Sequence, residues 1–185
     1  MNSNKIAWRN LQYRYGNISQ CLHWLMAFLL AGMLALGFLL DMIPGNWKPA
    51  ALDLHKSIGI TLLGLAALRL WWRLSENQPA PLASIPAAQA HIAQLMHKLL
   101  YALMLAMPLS GWAMTSAFGR PVRFFGIIMP DLVRRDREIG LFFKHLHGYI
   151  AYGLLTMIVM HAAAALYHHF ILKDEMLNRM LARRK

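Results

Sequence analysis

Residues 145–172 read HLHGYIAYGLLTMIVMHAAAALYHHFIL, and this stretch decides the fold. It contains no Asp, Glu, Lys or Arg, whereas Lys144 and Lys173 flank it directly. An α-helix needs about 20 predominantly apolar residues to cross the ~30 Å hydrocarbon core of a bilayer. A charge-free run of this length therefore predicts a transmembrane helix.

Two histidines of this run, His147 and His161, lie 14 residues apart. At about 3.6 residues per turn this spacing completes nearly four turns, so both imidazoles leave one face of the helix roughly 21 Å apart along its axis. His145 lies roughly 160° around the helix from His161 and is the poorer candidate. Because polar side chains are costly inside a bilayer, two co-facial histidines predict two stacked metal centres, one near each membrane surface.

The composition is that of an integral membrane protein, with 58% hydrophobic and 15% charged residues. The net charge of +11 comes mostly from Lys and Arg that flank apolar runs, which indicates topology signals and membrane-surface contacts, not nucleic-acid binding. Cys21 is the single cysteine, so an intrachain disulfide is excluded. The absence of a C-x-x-C-H motif excludes covalently attached c-type haem.

Four apolar segments predict four spans, at about residues 20–40, 55–74, 95–118 and 145–172. Pro108 lies inside the third and should kink that helix. Residues 79–86 read as an extended connector, and Phe124, Phe125, Ile127 and Ile128 suggest a short element along the membrane surface. The predicted fold class is all-α, with residues 1–185 forming a single domain, an antiparallel four-helix bundle that encloses two b-type haems.

An even number of spans places both termini on one side of the membrane. Eleven of the nineteen Lys and Arg residues then lie on the side of the termini, including Lys5, Arg183, Arg184 and Lys185. The positive-inside rule therefore predicts that both termini are cytoplasmic.

Depth in the membrane predicts which histidines meet. His23 begins the first span on the cytoplasmic side, at the depth of His161, and His55 begins the second span on the outer side, at the depth of His147. Each pair offers two imidazoles from different helices, as bis-histidine ligation of a b-type haem requires. His97 lies at a similar depth to His23 and competes with it. His91 is expected before the third helix. His168 and His169 are expected at the membrane interface, near a quinone headgroup or a haem propionate.

Several short motifs carry a family resemblance. They are His23-Trp24-Leu25, His55, Arg69-Leu70-x-x-Arg73-Leu74, His97 with Tyr101, Pro108 with Gly111, and His161-Ala-Ala-Ala-Ala-Leu-Tyr-His-His-Phe preceded by a histidine 14 positions earlier. With these motifs the chain resembles the bacterial cytochrome b561 family over about residues 10–181. The family comprises small di-haem b proteins of the bacterial inner membrane, related to cytochrome b subunits of hydrogenases and formate dehydrogenases. The resemblance implies that His23, His55, His147 and His161 are the axial ligands of the haem irons.

The resemblance also implies an oxidoreductase that passes electrons from superoxide or another periplasmic donor through an outer and a cytoplasmic haem to ubiquinone. The expected partners are membrane lipid, quinone and that donor, without nucleic acid, and a homodimer is left open. We expect the basic outer residues Lys56, Arg120, Arg123 and Lys144 to attract superoxide or bind haem propionates. The alternatives are a membrane-anchor subunit of a hydrogenase or dehydrogenase complex and a non-redox four-helix membrane protein.

Overall fold

The computed structural model describes residues 8–80, 82 and 85–181. Its main elements are four long helices, α1 (Asn17–Leu39), α2 (Lys48–Ser75), α3 (Ala87–Ala117) and α4 (Arg137–Tyr167). All four are long and apolar enough to cross a membrane. The predicted all-α membrane bundle is therefore confirmed.

Each helix begins earlier than the span predicted for it, because polar residues outside the hydrocarbon core continue the helix in its first turns. Asp136, for example, caps α4 by accepting hydrogen bonds from the backbone N–H groups of Glu138 and Ile139. His91, expected before the third helix, instead lies within the first turns of α3, where it is exposed. Pro108 lies inside α3 as predicted.

The helices pack in a simple order: α3 runs along α4, and α2 contacts both α1 and α3. Met26, Ala66 and Leu154 are the most deeply buried apolar side chains of the described core, and Leu62 is buried as well. Large apolar side chains cover much of the outer surface, as expected for a bundle that faces lipid.

A small β-hairpin connects α3 to α4. Its strands β1 (Val122–Phe124) and β2 (Ile127–Met129) pair antiparallel across a turn in which Phe125 and Gly126 have positive φ angles. This hairpin is the surface element predicted around residues 124–128. Ser57 of α2 anchors it, because its Oγ accepts a hydrogen bond from the backbone N–H of Phe125 at 3.0 Å. We call this end of the bundle the hairpin side.

The first and last described segments of the chain meet at the opposite end of the bundle, the terminus side. Arg9 forms an ion pair of 2.9 Å with Glu76, just beyond α2, and Trp24 Nε1 donates to the Met180 carbonyl oxygen at 2.9 Å. After α4, a π-helical turn (His168–Leu172) and a 3-10 turn (Asn178–Met180) complete the described chain. Outside the described residues lie Lys5, Arg183, Arg184 and Lys185 of the charge argument and Pro81, Ala83 and Ser84 of the predicted connector.

Candidate haem-binding site

Two pairs of histidines face each other inside the bundle, one toward each end. On the hairpin side, the ring centroids of His55 on α2 and His147 on α4 are 6.3 Å apart, with ring planes at 69°. On the terminus side, the centroids of His23 on α1 and His161 on α4 are 6.1 Å apart, with planes at 70°. Depth in the membrane predicted that the members of each of these pairs lie close together, and it also placed His97 at the level of His161.

These separations suit two imidazoles on opposite sides of one metal ion. A bond of about 2.0–2.1 Å from metal to nitrogen, with the ring centre about 1.2 Å further out, gives a centroid separation of roughly 6.4–6.6 Å, and the two observed separations lie slightly below this range. Among the described residues, no group of three or more His, Cys, Asp or Glu is placed to hold a bare metal ion. Two imidazoles suffice for haem iron, because the porphyrin supplies the other four nitrogens.

The orientation of His147 is set by α3. Its Nδ1 lies 3.0 Å from the Met107 carbonyl oxygen and 3.0 Å from Ser110 Oγ, and that hydroxyl itself donates to the same carbonyl at 2.7 Å. A carbonyl oxygen only accepts, so Nδ1 carries the proton and Nε2 keeps its lone pair. Metal-binding histidines commonly donate their other ring N–H to a carbonyl in this way. The arrangement fits His147 as a ligand through Nε2.

His55 faces a cavity between the helices. The lining of this cavity is mostly Leu and Met together with His55 and His147. Nδ1 of His55 is buried and has no hydrogen-bond partner among the described residues. A buried polar atom without a partner is costly, which indicates a ring whose function is to bind a group that the chain itself does not supply. An apolar cavity between two imidazoles fits a b-type haem.

Two glycines give the imidazoles of this pair their space. A Cβ added at Gly37 would lie 3.3 Å from Cε1 of His55, and one added at Gly111 would lie 2.9 Å from Cε1 of His147. Nothing in the sequence analysis pointed to Gly37, Ser110 or the Met107 carbonyl. The only available signal was Gly111, which belongs to the Pro108-x-x-Gly111 motif.

The terminus side holds a third histidine, His97 of α3. Its ring centroid lies 5.5 Å from that of His161, well below the separation across a metal ion, whereas the 6.1 Å between His23 and His161 comes closer to that separation. His97 therefore flanks the pair formed by His23 and His161. The interfacial His168 lies beyond α4, where its Nδ1 is hydrogen-bonded to Asp174 Oδ2 at 2.5 Å.

The basic residues predicted near the outer site differ in their surroundings. Lys56 forms an ion pair of 2.6 Å with Asp53 and donates to the Pro121 carbonyl oxygen at 3.3 Å, so it helps to hold the hairpin against α2. The other three, Arg120, Arg123 and Lys144, are exposed on the hairpin side.

Sequence similarity to known proteins extends over almost the whole chain. The profile of the family described as prokaryotic cytochrome b561 matches residues 14–183. Cytochrome b561 homolog 2 of Escherichia coli is 36% identical over 96% of this chain and 96% of its own length, and cytochrome b561 homolog 1 is 33% identical over 93% and 99%. A probable superoxide oxidase CybB of Yersinia pestis is 29% identical over 93% and 98%. The chain therefore belongs to the prokaryotic cytochrome b561 family, membrane proteins that bind b-type haem and transfer electrons.

Proposed function

We propose that this chain binds two b haems, one toward each membrane surface, and transfers electrons across the membrane to ubiquinone. His55 and His147 hold the haem on the hairpin side, and His23 and His161 hold the haem on the terminus side. When bound, the haems supply one-electron transfer between a donor on the outer side and ubiquinone. The observation that carries the proposal is the pair of facing imidazoles at each end of the bundle, separated by 6.3 and 6.1 Å.

The protein supplies position and surroundings. Met107 and Ser110 orient His147, which keeps Nε2 available and increases its strength as a ligand. Between the two histidine levels, Leu62 on α2 and Leu154 on α4 form a buried apolar layer. Leu154 follows His147 by seven residues and precedes His161 by seven, so it lies midway between the two sites.

The hairpin side is proposed to face the periplasm and the termini to lie in the cytoplasm. The exposed cations Arg120, Arg123 and Lys144 favour an anionic donor such as superoxide, which positive charge draws toward a surface. The relative described as a probable superoxide oxidase supports the same donor. His55 and His147 would hold the haem on this side, and the donor would approach the edge of that site from the surface that carries these cations.

The first experiment measures haem-to-protein stoichiometry and reduced-minus-oxidised spectra of the wild type, His161→Ala and His145→Ala. His145 is exposed on the same helix and serves as the matched control. We expect two haems in the wild type and in His145→Ala, and one in His161→Ala. A wild type without haem, prepared with ample haem supply, would overturn the redox function.

A second experiment tests the donor. Superoxide should reduce the purified wild type rapidly, and the rate should fall with ionic strength. Neutralising Arg120, Arg123 and Lys144 together should lower both the rate and its dependence on salt. If the protein reduces ubiquinone only when a partner dehydrogenase is added, the membrane-anchor subunit becomes the better description.

A further inference from the structure

Arg69 repeats on α2 the spacing that the histidines have on α4. It follows His55 by 14 residues, just as His161 follows His147 by 14 residues. Helix geometry therefore places Arg69 on the same face as His55 and roughly 21 Å further along α2, at the level of the histidines on the terminus side. Where α4 carries its second histidine, α2 carries a guanidinium group.

The surroundings of Arg69 suit a cation whose partner is an anion that the chain does not supply. Its Nε donates a hydrogen bond of 3.1 Å to the hydroxyl of Tyr101 on α3, and Tyr101 is buried, with 8% of its surface exposed. The charge of Arg69 lies within electrostatic range of His23, His97 and His161. Throughout the described ranges, Arg69 forms no ion pair with any carboxylate.

An arginine inside a membrane span is costly unless an anion compensates its charge. Tyr101 occupies Nε, and no group in the described part of the chain accepts a hydrogen bond from the two terminal nitrogens of Arg69. Paired guanidinium N–H groups match a carboxylate, which they bind through two parallel hydrogen bonds. The haem proposed for this level carries two carboxylates, its propionates, at the edge of the macrocycle.

We propose that Arg69, oriented by Tyr101, binds a propionate of the haem on the terminus side. The inference rests on the proposed di-haem function. Arg69 thereby sets the rotation of this haem within the bundle, and its positive charge favours the reduced over the oxidised iron. Tyr101 is a positioning residue, because it acts through the guanidinium group and not on the haem directly.

The test compares haem b with its dimethyl ester, in which both propionates are neutral, by reconstituting purified apoprotein. We expect the wild type to bind haem b at the terminus side about 10–100-fold more tightly than the ester, since a bidentate charged pair is lost. Arg69→Gln should bind haem b and its dimethyl ester with similar affinity. Lys98→Gln, which removes an exposed cation on α3 at the same end of the bundle, should keep the preference of the wild type.

Redox titration gives a second readout. With both haems bound, Arg69→Gln should lower the midpoint potential of one haem and leave the other unchanged. A tenfold change in the ratio of reduced to oxidised haem at a fixed potential corresponds to about 59 mV. Tyr101→Phe should shift the same haem in the same direction by a smaller amount, and Lys98→Gln should shift neither.

Each outcome decides one question. A wild type with fewer than two haems defeats the proposed function, whereas two haems with unchanged ester preference in Arg69→Gln defeat only the role of Arg69. If Arg69→Gln keeps the preference of the wild type for haem b over the ester but binds less phospholipid, the anion that Arg69 binds is a phospholipid phosphate. This result would overturn the proposal. If Arg69→Gln loses the haem altogether, Arg69→Lys must retain it with a preference for haem b over the ester, and failure to do so contradicts the inference.

Discussion

Gly111 of α3 lies directly against the imidazole of His147 on α4, so close that a Cβ at position 111 would stand 2.9 Å from the ring Cε1. The same edge of the ring is held by the Met107 carbonyl oxygen, 3.0 Å from Nδ1, and the added Cβ would lie 3.2 Å from that nitrogen. The imidazole therefore cannot move away from an added methyl group without losing its hydrogen bond. This contact makes the hairpin-side site sensitive to a single carbon atom on a neighbouring helix.

Gly111→Ala should selectively impair the hairpin-side site. We expect haem content to fall from two toward one per chain, because a displaced His147 no longer faces His55 across the metal position. Haem stoichiometry and the reduced spectrum measure the effect. Gly153→Ala on α4 is the control, since a Cβ there would meet nothing within 4 Å. Two haems and an unchanged spectrum in Gly111→Ala would contradict the assignment of His147.

Ser110→Ala should weaken this site without abolishing it. The hydroxyl of Ser110 lies 3.0 Å from Nδ1 of His147 and is buried, but the Met107 carbonyl oxygen remains as an acceptor in the variant. Loss of such a supporting hydrogen bond commonly costs about tenfold in affinity for the bound group. Haem titration of apoprotein measures it. Thr115→Val, which removes a hydroxyl one turn further along α3, should bind haem as the wild type does.

The third histidine on the terminus side can be separated from the pair by mutation. We expect His23→Ala to lose one haem and His97→Ala to keep both, because His23 lies at the separation from His161 that suits opposite sides of a metal ion. Low-temperature spectra of the reduced proteins resolve the two haems and measure this. The reverse result, one haem in His97→Ala and two in His23→Ala, would make His97 the ligand.

Asp174 should contribute to stability in a pH-dependent way. Burial acts to raise its pKa, but hydrogen bonds from His168 and the Met176 backbone N–H outweigh burial, so the pKa of Asp174 lies below its usual value of 3.8. A carboxyl group with a lowered pKa stabilises the fold above its unfolded pKa, and this contribution disappears as pH falls through the folded pKa. Acidification below about pH 4 should therefore weaken the turn that follows α4.

Thermal unfolding in detergent between pH 3 and 7 measures this contribution. At pH 6, Asp174→Asn should be less stable than the wild type by about 1 kcal/mol, the typical value of one hydrogen bond. The difference should shrink on acidification, because the wild type loses the interaction that the variant already lacks. Glu175→Gln, at an exposed neighbouring carboxylate, should follow the wild type. A constant difference across this pH range would show that the charge of Asp174 is not involved.

The sequence by itself determined the features that depend on one helix at a time. The charge-free runs predicted four membrane helices, because helix length and hydrocarbon thickness are both set by local geometry. The spacing of His147 and His161 predicted two co-facial sites for the same reason. Depth along each span paired His55 with His147 and placed both His23 and His97 at the level of His161, since antiparallel helices in one bilayer share a common axis.

Only the tertiary structure decided the features that depend on the rotation of one helix against another. Apolar patterns in a membrane constrain this rotation weakly, because lipid and core are equally apolar. The contact of Gly111 with His147 and the approach of Arg69 to Tyr101 arise from side-chain packing between α2, α3 and α4. The hairpin between α3 and α4 likewise formed where the sequence indicated only a surface element, because Ser57 on α2 supplies its backbone with a hydrogen-bond partner from 68 residues earlier in the chain.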